Sequence, residues 1–519
     1  MRKEIEIALT PKQAYDPGTW KSMYAQALHI PVSRVKHVNP LQRSLDARAQ
    51  KVKYRLKAEV FIDETPVIQP IRNKTYADVS KKSPVIVVGA GPAGLFAALR
   101  LINNGFKPII IERGKDVKNR KQDIAKLNNF HIVNPDSNYC FGEGGAGTYS
   151  DGKLYTRSSK RGNIRDVLET LVEHGADKDI LLDSHPHIGT DKLPHIISLI
   201  HETIESAGGA FYFNERVIDL HIQNSKVKSV ETHTGKRFEG IAVILATGHS
   251  ATDIYFLLHK KGILLEGKNF AMGVRAEHPQ ALINSIQYHG NYHNDLPSAS
   301  YSLVAHAEDR GVFSFCMCPG GTIVPSATEA EQVVVNGMSN SKRNSPFANS
   351  GIVVQIEPQD YAHLQQHGAL AGLVYQKQIE KACWEAAGKT QQAPAQRIVD
   401  FTANKVSTSL PDCSYKPGIV SLPIQQILPA PIATRLQQGF KLFNNKMRGY
   451  YTNDAVILAT ESRTSSPVRI PRNNETLHHV QIENLYPCGE GAGYAGGIVS
   501  SAMDGVRCAN AIKEKNQIF

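Results

Sequence analysis

Apolar residues change their spacing along the chain, and each change predicts a different element. The run PVIVV (84–88) is apolar throughout, as expected for a strand buried on both faces of a parallel sheet. The glycine turn GAGPAG, the helical stretch LFAALRLINNG and a second apolar strand, KPIIIE (107–112), follow in that order. This succession predicts a βαβ unit that opens a doubly wound sheet.

From Gly208 onward the pattern changes to short alternating segments. GAFYFNERVIDLHI, KVKSVETHT and KRFEG are separated by the turn signals QNS and TGK, so they predict an antiparallel β meander. IAVILATG then returns to a buried strand. Residues 251–480 mix strands with helices, including a helical stretch from Tyr361 to Lys389, and predict a second domain inserted into the first.

The N-terminal residues predict a separate α/β module. They alternate as strands in KEIEIAL and in KVKYRLKAEVFI, with a helix between. Residues 1–60 hold twelve Lys and Arg against five Asp and Glu, so more than half of the net charge of +11 lies there. The second strand carries its basic residues on one face: Lys51, Lys53, Arg55 and Lys57.

Composition narrows the class of protein. With 519 residues, 41% hydrophobic and 21% charged, the chain is too long for one ordinary core and is not disordered. Seven scattered cysteines suit a reducing compartment. The most apolar stretch is broken by glycines, Pro92 and Arg100, and the N-terminus lacks the apolar core of a signal peptide, so we expect a cytoplasmic protein with no membrane span.

The turn GAGPAG predicts a dinucleotide site. Gly89 allows the tight turn, Gly91 lets the backbone approach a pyrophosphate, and Gly94 lets helix and strand pack closely. The helix N-terminus then faces the phosphates. Glu112 ends the second strand, where its carboxylate can accept hydrogen bonds from a ribose diol.

Three features favour FAD over NAD as the bound nucleotide. The meander precedes VILATG, an arrangement suited to closing over the adenosine half. A C-terminal glycine pair opens a helix whose dipole can stabilise a reduced flavin. No second strand, GxGxxG turn and helix occurs, so NAD(P)H is expected only as a transient electron donor.

The motifs GAGPAG, IIIERG, FGEGGAGTYSDGKL, LATGHSA, FCMCPGG, ESRTSSPVRI and PCGEGAGYAGGI together resemble the family labelled NAD(FAD)-utilizing dehydrogenase. It belongs to the glutathione-reductase-like flavoprotein clan, and the resemblance covers about residues 80–515. It implies non-covalent FAD, held besides Gly89, Gly91, Gly94 and Glu112 by Pro92, Ala93, Arg113, Gly142, Glu143, Gly144, Gly145, Ala146, Thr148, Val217, Ala246, Thr247, Gly248, Gly489, Glu490, Gly496, Gly497 and Ile498.

The predicted fold class is α/β: a Rossmann-like FAD-binding domain with an antiparallel β meander, an inserted α+β substrate domain and a small basic α/β N-terminal domain. The predicted boundaries are the basic module at 1–65, a linker at 66–83, the FAD-binding domain at 84–250 and 481–519, and the substrate domain at 251–480.

Four residues are candidates for the chemistry of a small-molecule substrate. Asp151 and Lys153 could handle a proton and an anion, or form a surface turn. His187 is an acid/base candidate, or a loop residue. Arg463 could clamp an anionic substrate, or lie in a capped loop. The histidines lack further ligands, so no metal site is predicted.

Cys316 and Cys318, in FSFCMCPGG, point the same way on a strand and could be a redox dithiol. Only one residue separates them, which strains a ring disulfide, so small buried residues are the favoured interpretation. We treat Cys140 and Cys488 as packing residues.

A second class of function is binding of nucleic acid by the basic strand face. Phosphates need such a face, but no aromatic stacking platform accompanies it, so a solvated surface is favoured. The substrate and the oligomeric state do not follow from the sequence.

Overall fold

The computed structural model describes residues 1–66, 74–156 and 162–517, so residues 67–73 of the predicted linker lie outside it. The N-terminal module is a three-stranded antiparallel sheet, in the order β1-β3-β2, packed against helices. Its elements are β1 (Arg2–Leu9), α1 (Pro11–Ala14), α2 (Pro17–Ala27), β2 (Val35–Asp46) and β3 (Lys53–Ile62). In β3 the predicted alternation is observed, since Tyr54 and Leu56 are buried while Lys53 and Arg55 are exposed.

Arg43 joins this module to the rest of the chain. Its side chain is 2% exposed, and its guanidinium nitrogens lie 2.7 Å from carboxylate oxygens of both Asp179 and Asp183. Val52 enters the core of the second domain. The module therefore packs on both larger domains.

The next part of the chain contains the predicted βαβ unit. Its elements are β4 (Pro84–Val88), α3 (Pro92–Asn103), β5 (Lys107–Ile111), α4 (Arg120–Phe130), α5 (Ile164–Glu173), α6 (Leu193–Ser206) and β6 (Ala210–Tyr212). β4 and β5 pair in parallel, as expected for strands that a helix connects. All of β4 beyond Pro84 is buried, which explains its continuous apolar sequence.

The first predicted segment of the meander is divided between two sheets, so the meander has the three expected strands but begins only at Val217. Ala210–Tyr212 pairs in parallel with β5, and only Val217–Gln223 begins the antiparallel sheet, because a turn at 213–216 separates them. The following elements are β7 (Val217–Gln223), β8 (Lys226–Thr232), β9 (Arg237–Glu239), β10 (Ala242–Leu245) and α7 (Thr252–Lys260).

The second domain is built on a seven-stranded sheet. The strands of the whole domain, seven of which form this sheet, are β11 (Glu266–Gly267), β12 (Phe270–Pro279), β13 (Val304–Ala307), β14 (Arg310–Cys318), β15 (Gly321–Pro325), β16 (Val335–Ser339), β17 (Phe347–Ile356), β18 (Ala393–Arg397), β19 (Ile419–Ser421), β20 (Val456–Glu461) and β21 (Val468–Arg469). Its helices are α8 (Gln280–Gln287), α9 (Ala371–Ala386), α10 (Ile398–Thr402), α11 (Ile424–Ile427) and α12 (Ala430–Lys446), with a 3₁₀ segment at Pro358–Leu370. The large sheet has the order β13-β14-β17-β12-β20-β18-β19, and β11 with β21 and β15 with β16 form two-stranded sheets.

The chain then returns to the first domain through β22 (Leu485–Pro487) and α13 (Ile498–Gln517). The parallel sheet has the order β22-β10-β4-β5-β6, so the C-terminal strand completes one edge of it. The mixed α/β architecture with a Rossmann-like parallel sheet confirms the predicted fold class. Within the described residues no helix combines the length and apolar character needed to cross a membrane.

Candidate active site

A cavity of about 1050 Å³ lies at the carboxyl ends of the parallel strands. One wall comes from the turn after β4 and from the two glycine phrases near residues 142 and 489. The opposite wall comes from the second domain, at Ser300–Ser302 and Ser314–Met317. Ligands of open α/β sheets bind at this edge, so the position suits a nucleotide with a reacting end between the domains.

The turn after β4 tolerates only glycine at two positions. Gly89 has a φ of +107°, and a Cβ there would lie 2.4 Å from the carbonyl oxygen of Ala246. A Cβ on Gly94 would lie 1.9 Å from the carbonyl oxygen of Gly89. The helix α3 therefore begins directly at the cavity wall, with Pro92 and Ala93 lining it and its first N–H groups free for phosphates.

Glu112 ties this turn to the second glycine segment. One carboxylate oxygen accepts a hydrogen bond from the backbone N–H of Ala90 at 2.9 Å. The other accepts from the N–H groups of Gly114 and Gly142, each at 2.9 Å. A carboxylate has about four acceptor positions, so one remains that a ribose hydroxyl could use.

Arg120 holds the segment that contains FGEGGAG, a role that its sequence context does not reveal. Its side chain is buried and donates to the carbonyl oxygens of Asn138 at 2.7 Å, Glu143 at 2.9 Å and Gly145 at 2.8 Å. It stands in a charged stretch of α4, KNRKQDIAK, where nothing distinguishes it from the surface cations around it.

Glu143 faces the protein and not the cavity, contrary to its predicted contact with the cofactor. Its carboxylate accepts a hydrogen bond from the N–H of Val117 at 2.8 Å and lies 2.5 Å from Nδ1 of His201. The imidazole also stacks on Phe211, with ring centroids 4.1 Å apart. The first glycine phrase is thus anchored from behind by an ion pair.

We expect this anchor to depend on pH. Burial disfavours the imidazolium of His201, but the hydrogen bond and charge of Glu143 outweigh it and raise its pKa above the usual value. The stabilisation is therefore complete below about pH 6.5 and is lost as the pH rises through the raised pKa. Between slightly acidic and alkaline pH, the free energy of unfolding in urea should fall by about 1.5–3 kcal/mol more for wild type than for His201→Gln. Equal pH slopes for the two proteins would contradict the anchor.

Most of the residues predicted to bind the cofactor line the cavity: Gly89, Gly91, Pro92, Ala93, Glu112, Arg113, Gly145, Ala146, Val217, Ala246, Thr247, Gly248, Glu490, Gly496, Gly497 and Ile498. The others lie behind its wall: Gly94, Gly142, Glu143, Gly144, Thr148 and Gly489. Gly489 is positioned by Asp504, whose carboxylate accepts its N–H at 2.8 Å and pairs with Arg472 at 2.6 Å.

The predicted catalytic residues separate into two groups. Asp151 and Lys153 line the cavity, where Asp151 is buried in an ion pair with Arg343 and lies 3.8 Å from the Lys153 ammonium. His187 does not line it, because its Nε2 donates to the carbonyl oxygen of Ser341 at 3.1 Å. Burial lowers the pKa of His187, and the nearby Arg343 adds to that shift.

Arg463 lies at the cavity wall, but its hydrogen bonds correct the prediction of an anion clamp. Glu380 accepts two of them at 3.1 Å, Thr328 accepts one at 2.9 Å and Gln332 one at 2.8 Å. A guanidinium paired with a buried carboxylate carries little free charge for a substrate. Its partners lie far away in the chain, so the sequence offered no signal of this pairing.

Other groups in the cavity lining can serve a ligand. Glu490 lines it, and burial raises the pKa of this carboxyl to about 7 although the Lys268 ammonium opposes the shift. The buried Tyr149 Oη and Thr464 Oγ1 also line it, and the described residues offer neither a hydrogen-bond partner. A buried hydroxyl without a partner is costly, which favours a bound ligand as the partner.

The basic face of the N-terminal module is partly neutralised. Arg55 pairs with Asp46 at 2.8 Å and with Glu6 at 3.1 Å, and Lys57 pairs with Glu4. These acids come from the neighbouring strands, so the stripe carries less net charge than its own sequence suggests.

Comparison with known proteins assigns the chain to a family. Residues 1–61 match a domain of unknown function, residues 83–256 match pyridine nucleotide-disulphide oxidoreductase, and residues 269–464 match "FAD-dependent protein, C-terminal domain-like". A Clostridium beijerinckii protein, described as uncharacterized, is 38% identical over 521 residues, with 96% of each chain covered. The chain belongs to a family of FAD-dependent oxidoreductases. The cofactor of this oxidoreductase is FAD.

Solved structures are less similar to this FAD-dependent oxidoreductase. FqzB is 14% identical with a TM-score of 0.38, covering 85% of this chain and 78% of its own. Tetracycline destructase Tet(51) is 11% identical with a TM-score of 0.33, covering 84% and 82%. A flavocytochrome c3 fumarate reductase is 11% identical with a TM-score of 0.32, covering 84% and 78%.

The residues of this FAD-dependent oxidoreductase fit its cofactor. The glycine turn leaves no room for a Cβ at Gly89, whereas open space faces Gly496 and Gly497 at the start of α13. Glu112 retains an acceptor position, and the buried Tyr149 Oη has no hydrogen-bond partner among the described residues. A flat ring system with a phosphate tail needs such a side-chain-free cradle.

Proposed function

We propose that the enzyme is a dehydrogenase of a small molecule, in which FAD is bound non-covalently and the substrate binds between the two large domains. The observation that carries the proposal is the continuity of one cavity. It joins the glycine-rich nucleotide cradle to the second domain, and its lining includes Lys153 and Glu490, which both interact electrostatically with Cys316. The resemblance to NAD(FAD)-utilizing dehydrogenases supports the same reaction class.

FAD, when bound, supplies two-electron chemistry, so the protein has to bind, orient and move a proton. The turn at Gly89–Gly94 and Glu112 would hold the nucleotide part, while Gly145, Ala146 and the residues from Gly496 to Ile498 would enclose the rest. The buried ion pair of Asp151 with Arg343 holds the wall beside Lys153.

Glu490 is the best placed group for the substrate proton. With a pKa of about 7 it exists in both protonation states near neutral pH, which suits a general acid or base. The following residue is fixed, because Tyr255 Oη donates to the carbonyl oxygen of Gly491 at 2.7 Å. The Lys268 ammonium interacts electrostatically with the carboxyl and with Arg469.

The purified protein should carry FAD that an organic donor can reduce. Anaerobic mixing with a metabolite panel, with and without NADH and NADPH, is expected to bleach the flavin absorbance with at least one donor. Because the chain has one dinucleotide fingerprint, a nicotinamide would have to react transiently, without a retained site. A colourless protein that takes up no flavin would refute FAD binding, whereas bound flavin that no donor reduces would refute the dehydrogenase.

A nucleic-acid function is not favoured, because Arg55 and Lys57 are paired with acids on the same sheet. Phosphate binding requires cations that are free to replace the counterions of the nucleic acid.

A further inference from the structure

Cys316 has an unusual backbone for its residue type. Its φ is +45°, in the left-handed region that residues with a Cβ rarely adopt. It lies at an irregularity where the pairing of β14 with β17 passes from Phe315 directly to Cys318. Strain of this kind persists only where the surrounding structure holds it, and it clusters at functional sites.

The irregularity separates two cysteines that a regular strand would place on one face. Cys316 lines the cavity and is partly exposed, whereas Cys318 is buried behind it. Cys318 Sγ donates to the carbonyl oxygen of Cys316 at 3.3 Å, and the two thiol groups interact electrostatically. Cys316 is thus accessible from the cavity, and the Cys318 thiol lies behind it against the Cys316 backbone.

Arg275 supports this pair from the core. Its guanidinium is fully buried, donates to the carbonyl oxygen of Cys316 at 2.9 Å and contacts Cys318 Sγ at 3.5 Å. Its carboxylate partner is Glu461, at 2.9 Å. Burial raises the pKa of Glu461 to about 7 although Arg275 opposes the shift, so this acid compensates the guanidinium only in part near neutral pH.

Lys153 approaches the same segment from the other side. Its ammonium donates to the carbonyl oxygen of Met317, between the two cysteines. Asp151 is the nearby acid, and it is shared between Lys153 and Arg343. Glu490 also interacts electrostatically with Cys316.

Two cations, Lys153 and Arg275, and three acids, Asp151, Glu461 and Glu490, therefore surround the cysteines. The neighbouring Cys318 thiol, followed by the charges of Lys153 and Arg275, outweighs burial and lowers the pKa of Cys316. The same contact raises the pKa of Cys318.

We propose that Cys316 and Cys318 are a redox-active pair, with Cys316 as the attacking thiolate and Cys318 as the resolving thiol, so that the enzyme has a second two-electron centre besides FAD. The inference rests on the proposed function only for the source of electrons that restores the dithiol.

The exchange balances with a small-molecule disulfide as oxidant. The Cys316 thiolate attacks one sulfur of that disulfide, a mixed disulfide forms, and the other sulfur leaves as a thiolate. Cys318 then loses its proton and attacks the Cys316 sulfur, so the Cys316–Cys318 bond forms and the second thiolate leaves. The small molecule gains two electrons, the pair loses two, and the Cys318 proton passes to solvent; two electrons and one proton restore the Cys316 thiolate and the Cys318 thiol.

In the first test, the FAD-loaded protein reacts with dithiobisnitrobenzoate. The number of nitrothiobenzoate thiolates released is measured, and peptide masses show which cysteines carry an adduct. Wild type should release two thiolates from the pair and retain no adduct on the 316–318 peptide. Cys318→Ser should release one and retain the adduct on Cys316, and Cys316→Ser should release none from this peptide. Cys413→Ser, at a cysteine outside the cavity lining, corrects for background. An adduct that persists on Cys316 in wild type would overturn the proposal that Cys318 resolves the mixed disulfide.

The second test needs no variant at these positions. An ordinary thiol, with a pKa of about 8.5, reacts with iodoacetamide about 75-fold more slowly at pH 6 than at pH 8. The labelling rate of Cys316 in the FAD-loaded wild type should fall by less than about threefold over the same pH change, because a thiolate is already present at pH 6. A slowing like that of free glutathione, or no labelling, would overturn the inference. Both readouts are independent of whether any donor reduces the flavin, so they separate this inference from the dehydrogenase proposal.

Discussion

Replacing Arg120 by leucine is expected to weaken FAD binding at least about tenfold and to destabilise the protein by about 3–5 kcal/mol. The guanidinium satisfies three backbone carbonyls of the segment that contains the first glycine phrase, those of Asn138, Glu143 and Gly145. Each buried carbonyl left without a donor costs about 1–3 kcal/mol. FAD retention through gel filtration and urea unfolding measure the two effects.

Two further variants show whether the effect belongs to these hydrogen bonds. Arg165→Leu removes an exposed arginine whose partner is Glu169 on the same helix, so it should change stability by less than about 1 kcal/mol. Arg120→Lys keeps the charge but cannot reach three carbonyls at once, so it should fall between wild type and Arg120→Leu. If Arg120→Leu kept full FAD affinity, the segment would not depend on this residue.

The cofactor cradle was predictable because its signals are local. A strand, a glycine turn, a helix and an acid at the end of the next strand lie within about thirty residues, and each follows from backbone sterics and helix-end chemistry. Gly94 is required by its contact with Gly89 inside this unit, and Glu112 binds the same turn. Gly89 is required by its positive φ and also by Ala246, which follows the distant strand β10.

The misplaced residues depend on partners that are distant in the sequence. Arg463 is paired with Glu380 and Glu143 with His201, and neither partner shares a motif with it. A polar residue in a glycine-rich phrase looks the same in sequence whether it faces a ligand or a buried ion-pair partner. For Cys316, the alternation of a regular strand placed both cysteines on one face, and only the irregular pairing of β14 separates them.

The two glycine phrases thus have different roles despite their similar sequences. In the first, the carboxyl group of Glu143 is a structural anchor behind the wall. In the second, Asp504 supplies the anchor by accepting the N–H of Gly489, which leaves Glu490 lining the cavity. The same Gly-Glu-Gly string therefore places one carboxylate in the protein and the other towards the ligand.

This difference gives the sharpest test of the proposed chemistry. Glu490→Gln should retain FAD but lower kcat about 10²–10⁴-fold with the donor found in the anaerobic panel, because a positioned acid or base contributes about that much. The change near pH 7 in the rate profile should also disappear, since burial holds the pKa of Glu490 at about 7. In the direction that removes a proton from the substrate, the wild-type rate should rise through that pH, and in the reverse direction it should fall.

Glu143→Gln is the matched control, because it makes the same chemical change in the other phrase. It should lose the pairing with His201, and with it stability at slightly acidic pH, while its profile keeps the change near pH 7. If Glu490→Gln instead loses FAD and keeps its rate per bound flavin, Glu490 is a cofactor ligand and the substrate proton has another acceptor. Stopped-flow reduction of both variants, normalised to bound flavin, distinguishes these outcomes.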